Sequence, residues 1–185
     1  MTQTTEPVRD LRANRRVVLR APSDVLSSND EWGANCGPSS IAAALSLEVA
    51  QVREAVSPQP HGFKGYMGIR DVQDALRRLG CSYRDTYRVP FSSLLESEQP
   101  SIVMVNWVGP WSHIPKAQAA HRHLVAVCDG WIYEVWMGQW LPYEKWETLS
   151  PYWTPKRATA WEWAWSATVE SVPHDLKAPE EFHDA

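Results

Sequence analysis

The fold is decided by one stretch, Asn35-Cys36-Gly37-Pro38-Ser39-Ser40-Ile41-Ala42-Ala43-Ala44-Leu45. A polar loop containing Gly33 runs into Cys36, and Gly-Pro then opens a small, apolar run. Proline is tolerated in the first helical turn, and Ile41, Ala44 and Leu45 recur at helical spacing, so a buried helix is predicted. Its alanines permit a neighbouring element to come close. A thiol at that junction sits beside the unpaired N–H groups and positive dipole end of a helix, which favour the thiolate. A nucleophilic cysteine needs that help, because a free thiol is mostly protonated near neutral pH.

Downstream, Leu47 to Val56 reads as a second helix, ending at Ser57-Pro58-Gln59-Pro60. The glycine-rich loop 61–68 lacks a Rossmann spacing and follows no strand, which argues against a nucleotide cradle. Arg70 to Leu79 is an amphipathic helix, with Gly80 as its C-terminal cap. The period then changes. Strands are predicted over Cys81 to Val89 and Ser101 to Trp107, with a short helix after Pro90 between them. His123-Leu124-Val125-Ala126-Val127-Cys128 and Trp131-Ile132-Tyr133-Glu134-Val135-Trp136 form a hairpin closed by Asp129-Gly130, a favoured two-residue turn. Tyr143 to Leu149 gives a helical turn or two. Ala158 to Val169 alternates strictly, which puts Trp161, Trp163 and Trp165 on one face of a long strand. Upstream, Val17-Val18-Leu19 forms at most a short strand, and Pro22 through Asp30 reads as a loop.

Helices carrying the cysteine therefore precede a mainly antiparallel sheet carrying His123, an α+β arrangement. The expected organisation is an N-terminal extension over 1–28, a single domain over 29–171 and a flexible tail over 172–185. The 185 residues, with 22% charged, suit one globular domain with a core of its own. Eleven tryptophans, concentrated in the second half, point to a core and cleft walls built from indoles. A net charge of −4 gives no whole-molecule case for nucleic acid or an anionic membrane. Cys36, Cys81 and Cys128 make no disulfide framework, and no run approaches the apolar length of a membrane span or signal peptide. The expected setting is the cytoplasm.

A thiol hydrolase needs a base for the thiol, a group to orient that base, and donors for an oxyanion. His123, opening an apolar strand, is placed to reach a facing helix. For its orienting partner the chain offers Glu134 on the paired strand, Asp129, Asn106 and Gln139. Oxyanion donors are the backbone N–H of Cys36 and the side chains of Asn29 or Asn35, whereas Asp30 and Glu31 are acceptors. His61, His113 and His121 lack ligand spacing with a carboxylate or cysteine, so neither a metal nor a cofactor is expected.

These motifs, Asn35 through Ala43 and then His123 through Val127, resemble the papain-like cysteine peptidase superfamily. The nearest likeness is to the peptidase domains that process bacteriocin leaders at double-glycine sites, and to their bacterial and phage relatives. Gly138-Gln139-Trp140-Leu141-Pro142, followed by Trp146, matches a segment after the hairpin in that group. The resemblance covers about Asn29 to Leu149 and implies a papain-like fold with Cys36 as nucleophile and His123 as base. The family's Asp or Asn falls at Trp136 or at Glu134, of which only Glu134 could orient an imidazole. The family's Gln upstream of the nucleophile has no counterpart here. The resemblance implies hydrolysis of an amide, of peptidase, isopeptidase or deamidase type, on a protein or peptide substrate. The alternative, motivated by Trp136 and the missing Gln, is a binding protein on a peptidase scaffold with weak or lost catalysis. Such a protein could be a phage or mobile-element factor that grips a host protein.

Overall fold

A computed structural model describes residues 8–10, 19–57, 63–87, 90–110, 121–149, 160–173 and 175–176. Helices α1 (Val25–Trp32), α2 (Cys36–Leu45), α3 (Val49–Val56) and α4 (Ile69–Arg78) follow strand β1 (Val8–Asp10). Next come β2 (Ser82–Thr86), α5 (Phe91–Leu95), β3 (Ser101–Val108), β4 (Arg122–Cys128), β5 (Trp131–Glu134) and β6 (Gln139–Pro142). A helix α6 (Tyr143–Leu149) and the long strand β7 (Ala160–Pro173) complete the described elements. The sheet runs β1-β7-β3-β4-β5-β6, with β2 also on β7, and every pairing is antiparallel. The chain is thus α+β, as expected.

Two cores divide along the faces of that sheet. Ile102, Met104, Leu124 and Ala126 face the first helices, where they pack with Ile41, Ala42, Val49, Val52, Val72 and Leu76. Their strand neighbours Val103, Val105, Trp107, Val125 and Val127 face the other way, onto Leu94 of α5 and Trp146 of α6. This is the two-residue period of a sheet covered on both sides. Helix α2 has every residue from Gly37 to Leu45 buried. Its small side chains are what allow it to lie directly on β4, and a fully buried Ile41 adds about 1.5–3 kcal/mol over an exposed one.

Three expectations are corrected. The segment read as a loop up to Asp30 contains α1, whose N-cap Asp24 is held from outside. The Asp24 carboxylate accepts from the N–H groups of Val49 (2.7 Å) and Ala50 (2.8 Å) at the start of α3. Glu48 answers by accepting from the N–H groups of Ser23 (2.7 Å) and Asp24 (3.2 Å). Burial pushes the Asp24 carboxyl up, but the α3 N–H groups outweigh it and hold it below the usual carboxylate value. Secondly, the second hairpin strand stops at Glu134 instead of Trp136, because Met137 N–H and Gly138 N–H turn back onto Glu134 and Val135. Thirdly, strict alternation along β7 is broken, since its register against β3 slips between Trp165 and Trp163. An irregularity there adds one residue opposite the Met104–Val105 step. Trp165 is buried among the helix-side core. The side chains of Trp161 and Trp163, and the strand expected at Val17–Leu19 but for Leu19 itself, lie outside the described residues. The expected divisions after residues 28 and 171 fall inside α1 and β7; Ser28 and Val172 are both buried. Gly80, at φ +71°, takes the expected capping turn: its N–H donates to Arg77 and that of Cys81 to Leu76.

Candidate active site

Cys36 is the first residue of α2. Asn35 caps the helix, its side-chain oxygen accepting from Gly37 N–H at 3.2 Å, and its amide donates to the Gly65 carbonyl. The loop rejected above as a nucleotide cradle therefore has a structural part here. Met67 from the same loop packs on Gly37, where a Cβ would stand 2.7 Å from its sulfur. A glycine after Cys36 lets that loop close over the helix start.

What brings Cys36 to His123 is a gap in the sheet. β5 pairs with β4 only at Ala126, Val127 and Cys128, so the two strands part before Leu124 is reached. The backbone groups of Leu124 are then served by α2. Ser40, one turn beyond Cys36, donates its hydroxyl to the Leu124 carbonyl at 2.8 Å. The Leu124 N–H lies within hydrogen-bonding reach of the Cys36 sulfur. This docking leaves the thiol half-buried at the edge of the opening, beside His123.

The His123 side chain is almost wholly enclosed, and its Nε2 meets Glu134 Oε1 at 2.9 Å. The ring is also hydrogen-bonded to the Cys36 sulfur, and Nδ1 is the nitrogen that Glu134 leaves for it. Glu134 is fully buried; its Oε2 accepts from Trp146 Nε1–H at 2.9 Å, and Oε1 accepts from the Trp136 backbone N–H at 3.3 Å. Burial pulls the imidazole down, but the carboxylate and the sulfur outweigh it and push His123 up to about 10. Burial likewise pushes the Cys36 thiol up, yet the His123 charge, its hydrogen bond and the Leu124 N–H bring it below its ordinary value. For Glu134, burial is again overcome by His123, so its carboxyl is held below the usual range. All three shifts favour the charged forms, thiolate, imidazolium and carboxylate.

Of the expected site residues, Cys36, His123 and Glu134 are brought together. The other partners proposed for His123 are elsewhere. Asp129 stands in the hairpin turn at φ +48°, Gln139 pairs with Glu134 across the β5–β6 ladder, and Asn106 Oδ1 is buried with no partner among the described residues. Asn29 and Asn35 spend amide N–H groups on the carbonyls of Ala34 (2.6 Å) and Gly65. Each amide has a second N–H beyond these contacts, and the backbone N–H of Cys36 is a further donor at the helix start. Glu31 turns outward to Arg53 at 2.6 Å. Among the described residues no His, Cys, Asp and Glu cluster could hold a metal ion, while His61 and His113 lie outside them. No described helix is long and apolar enough to cross a membrane.

Sequence reasoning missed two contributors. Ser40 had a signal, since it follows Cys36 by one helical turn on the same side. Trp146 had none that reached the site, because its indole meets Glu134 only once α6 folds beneath the sheet. Compared with protein families, curated proteins and solved structures, the chain matches none.

Proposed function

We propose that this chain is a papain-like thiol hydrolase acting on an amide bond of a protein or peptide. The observation that carries the reading is the buried His123–Glu134 pair at 2.9 Å with Cys36 on the imidazole's other side. Each group has a role that its surroundings suit. The Cys36 thiolate adds to the carbonyl carbon, and the Cys36 N–H at the helix start faces the negative oxygen. As the C–N bond breaks, His123 Nδ1–H gives its proton to the departing amine. Neutral His123 then takes a proton from water, which attacks the thioester, releases the acid and restores the ion pair. Glu134 keeps the ring in place and matches its charge throughout. The reaction needs a reduced Cys36, which fits the expected cytoplasmic setting.

Two steps test the reading. Iodoacetamide at pH 6 should alkylate Cys36 about tenfold or more faster than free cysteine, since a free thiol is almost fully protonated there. Cleavage within a fluorogenic peptide-amide library should then be found with the native chain and lost in Cys36→Ala. An ordinary alkylation rate sinks the activated-thiol reading. A reactive Cys36 with no cleavage favours the binding protein, for which the 67% exposed Trp136 next to the site is the supporting observation.

A further inference from the structure

Trp146 lies on the opposite face of the sheet from α2, fully buried in the second core and 5.7 Å, centroid to centroid, from the Trp107 ring. Packing explains its ring. It does not explain why its one polar atom is spent on Glu134. A buried indole N–H needs some acceptor, and here it takes the Oε2 that His123 leaves free. The two oxygens of Glu134 are thus divided: Oε1 serves the imidazole and the Trp136 N–H, and Oε2 serves Trp146 alone among the contacts found.

We propose that Trp146 is a positioning residue of this site, whose indole N–H fixes the orientation of Glu134 and holds it ionised, and through it keeps His123 charged and Cys36 a thiolate. The inference rests on the thiol-hydrolase reading of Cys36, His123 and Glu134 and adds a fourth member to it. The physical basis is the enclosure. A carboxylate removed from water needs donors to both oxygens, and no water-exposed surface of Glu134 supplies one. A hydrogen bond to an ionised acceptor is roughly twice as strong as a neutral one. Removing the N–H therefore weakens the anion, and the weakened anion supports less charge on the imidazole. Among the described residues, Cys36 from α2 is the titratable group whose charge acts on the pair formed by His123 of β4 and Glu134 of β5. Tyr133, next to Glu134, shows its influence in a phenol pushed up by burial first and by that carboxylate second. From α6 the pair is met by Trp146, whereas Tyr143 and Glu147 of that helix bond to each other at 2.9 Å.

The test compares the pH dependence of Cys36 alkylation by iodoacetamide in the full chain and in Trp146→Phe, which keeps an aromatic ring and deletes the N–H. The acid limb, where the thiolate is lost, should move to higher pH by roughly half to one unit. A merely structural role lowers stability and leaves that limb in place. In a Glu134→Gln background the same substitution should shift the limb no further, because the carboxylate through which it acts is gone. A native chain that titrates as an ordinary thiol overturns both the hydrolase reading and this inference. A native limb at low pH that Trp146→Phe leaves unmoved overturns the inference alone, as does an equal shift in the Gln background. Should Trp146→Phe fail to fold, the Trp146 indole N–H resonance of the native chain decides. It should titrate with the same midpoint as the alkylation limb, and a resonance indifferent to that midpoint overturns the proposal.

Discussion

Each end of the β4–β5 hairpin meets a cysteine, Cys128 of β4 at one and Cys36 of α2 at the other, and the two are treated in opposite ways. At the closed end, Asp129 and Gly130 turn the chain, and their N–H groups are taken by the Ser97 and Leu95 carbonyls. Cys128 there is buried, its thiol directed to the Glu98 carbonyl at 3.3 Å, and burial together with Asp129 and Glu98 pushes it up to about 12. At the open end the strands part, the Leu124 backbone goes unpaired by β5, and α2 fills the place with Cys36 and Ser40. Burial opposes the thiolate at both ends. What differs is the company: carbonyls and carboxylates around Cys128, an imidazole and an N–H around Cys36. Which thiol is shifted toward its ionised form follows from where the ladder stops.

The largest effect should come from emptying the open end of its cation. His123→Ala leaves Glu134 buried without its partner, which costs roughly 3–5 kcal/mol, and should lower any hydrolysis about 10³-fold or more. Denaturant melts and peptide cleavage measure the two. Replacing both residues, as His123→Leu with Glu134→Leu, should restore most of the stability and none of the activity. A double variant as unstable as the single one would mean that the pair holds the fold by something other than its charges.

The difference between the ends was half legible in the sequence. The closed end was read correctly because a two-residue Asp-Gly turn is local chemistry, and so is a helix that starts at Asn35-Cys36-Gly37-Pro38. The open end depends on where β5 ends, and nothing in Trp131 to Trp136 marks Glu134 as the last paired residue. Hence the sequence favours Glu134 but leaves Asn106, Gln139 and Asp129 open beside it, because register decides among them. Helix α1 was missed for a related reason: its cap, Asp24, is held by α3. Trp146 was counted as core, and its ring is core; only its N–H belongs to the site.

Stability against pH should sharpen the contrast. Between about pH 6.5 and 8.5 the unfolded pair holds one proton, on the thiol, and folding shifts it toward His123, so the pair adds little slope there. Below that range the unfolded chain takes up a further proton and stability falls with falling pH, helped at the acid end by the lowered Glu134. Above about pH 8.5 the unfolded thiol ionises while His123 stays charged to about 10, so stability falls with rising pH. Cys128 and Cys81, both pushed up to about 12, add to the same alkaline loss. Cys128→Ala should therefore make the alkaline limb shallower by about 1.4 kcal/mol per pH unit and leave the acid limb alone. Urea midpoints across the range measure both, and an unchanged alkaline limb would show that Cys128 ionises as freely folded as unfolded.

Ser40→Ala asks whether α2 really substitutes for the missing strand. It leaves the buried Leu124 carbonyl without its donor, a loss of about 1–3 kcal/mol. Because the same contact sets Cys36 against Leu124 N–H, alkylation at pH 6 should slow as well. A loss of stability with unchanged alkylation would separate the docking of α2 from the state of its thiol.

The smallest effect belongs to Asn35, and it is the most selective. Asn35→Ala removes the cap and should cost about 1 kcal/mol. Asn35→Asp keeps an oxygen for Gly37 N–H and suits the helix dipole, so the helix should stay close to native stability. It also deletes the donor to the Gly65 carbonyl and sets a negative charge on the residue preceding Cys36. A like charge disfavours the thiolate, so the acid limb of alkylation should move up by a few tenths of a pH unit with little change in melting. At the closed end Asp129 already stands next to Cys128 and raises it in this way. Asn35→Asp thus copies one feature of the surroundings of Cys128 onto Cys36. If the limb stays where it was, the N-cap lies outside the field that governs Cys36, and its ionisation belongs to His123 and Leu124 alone.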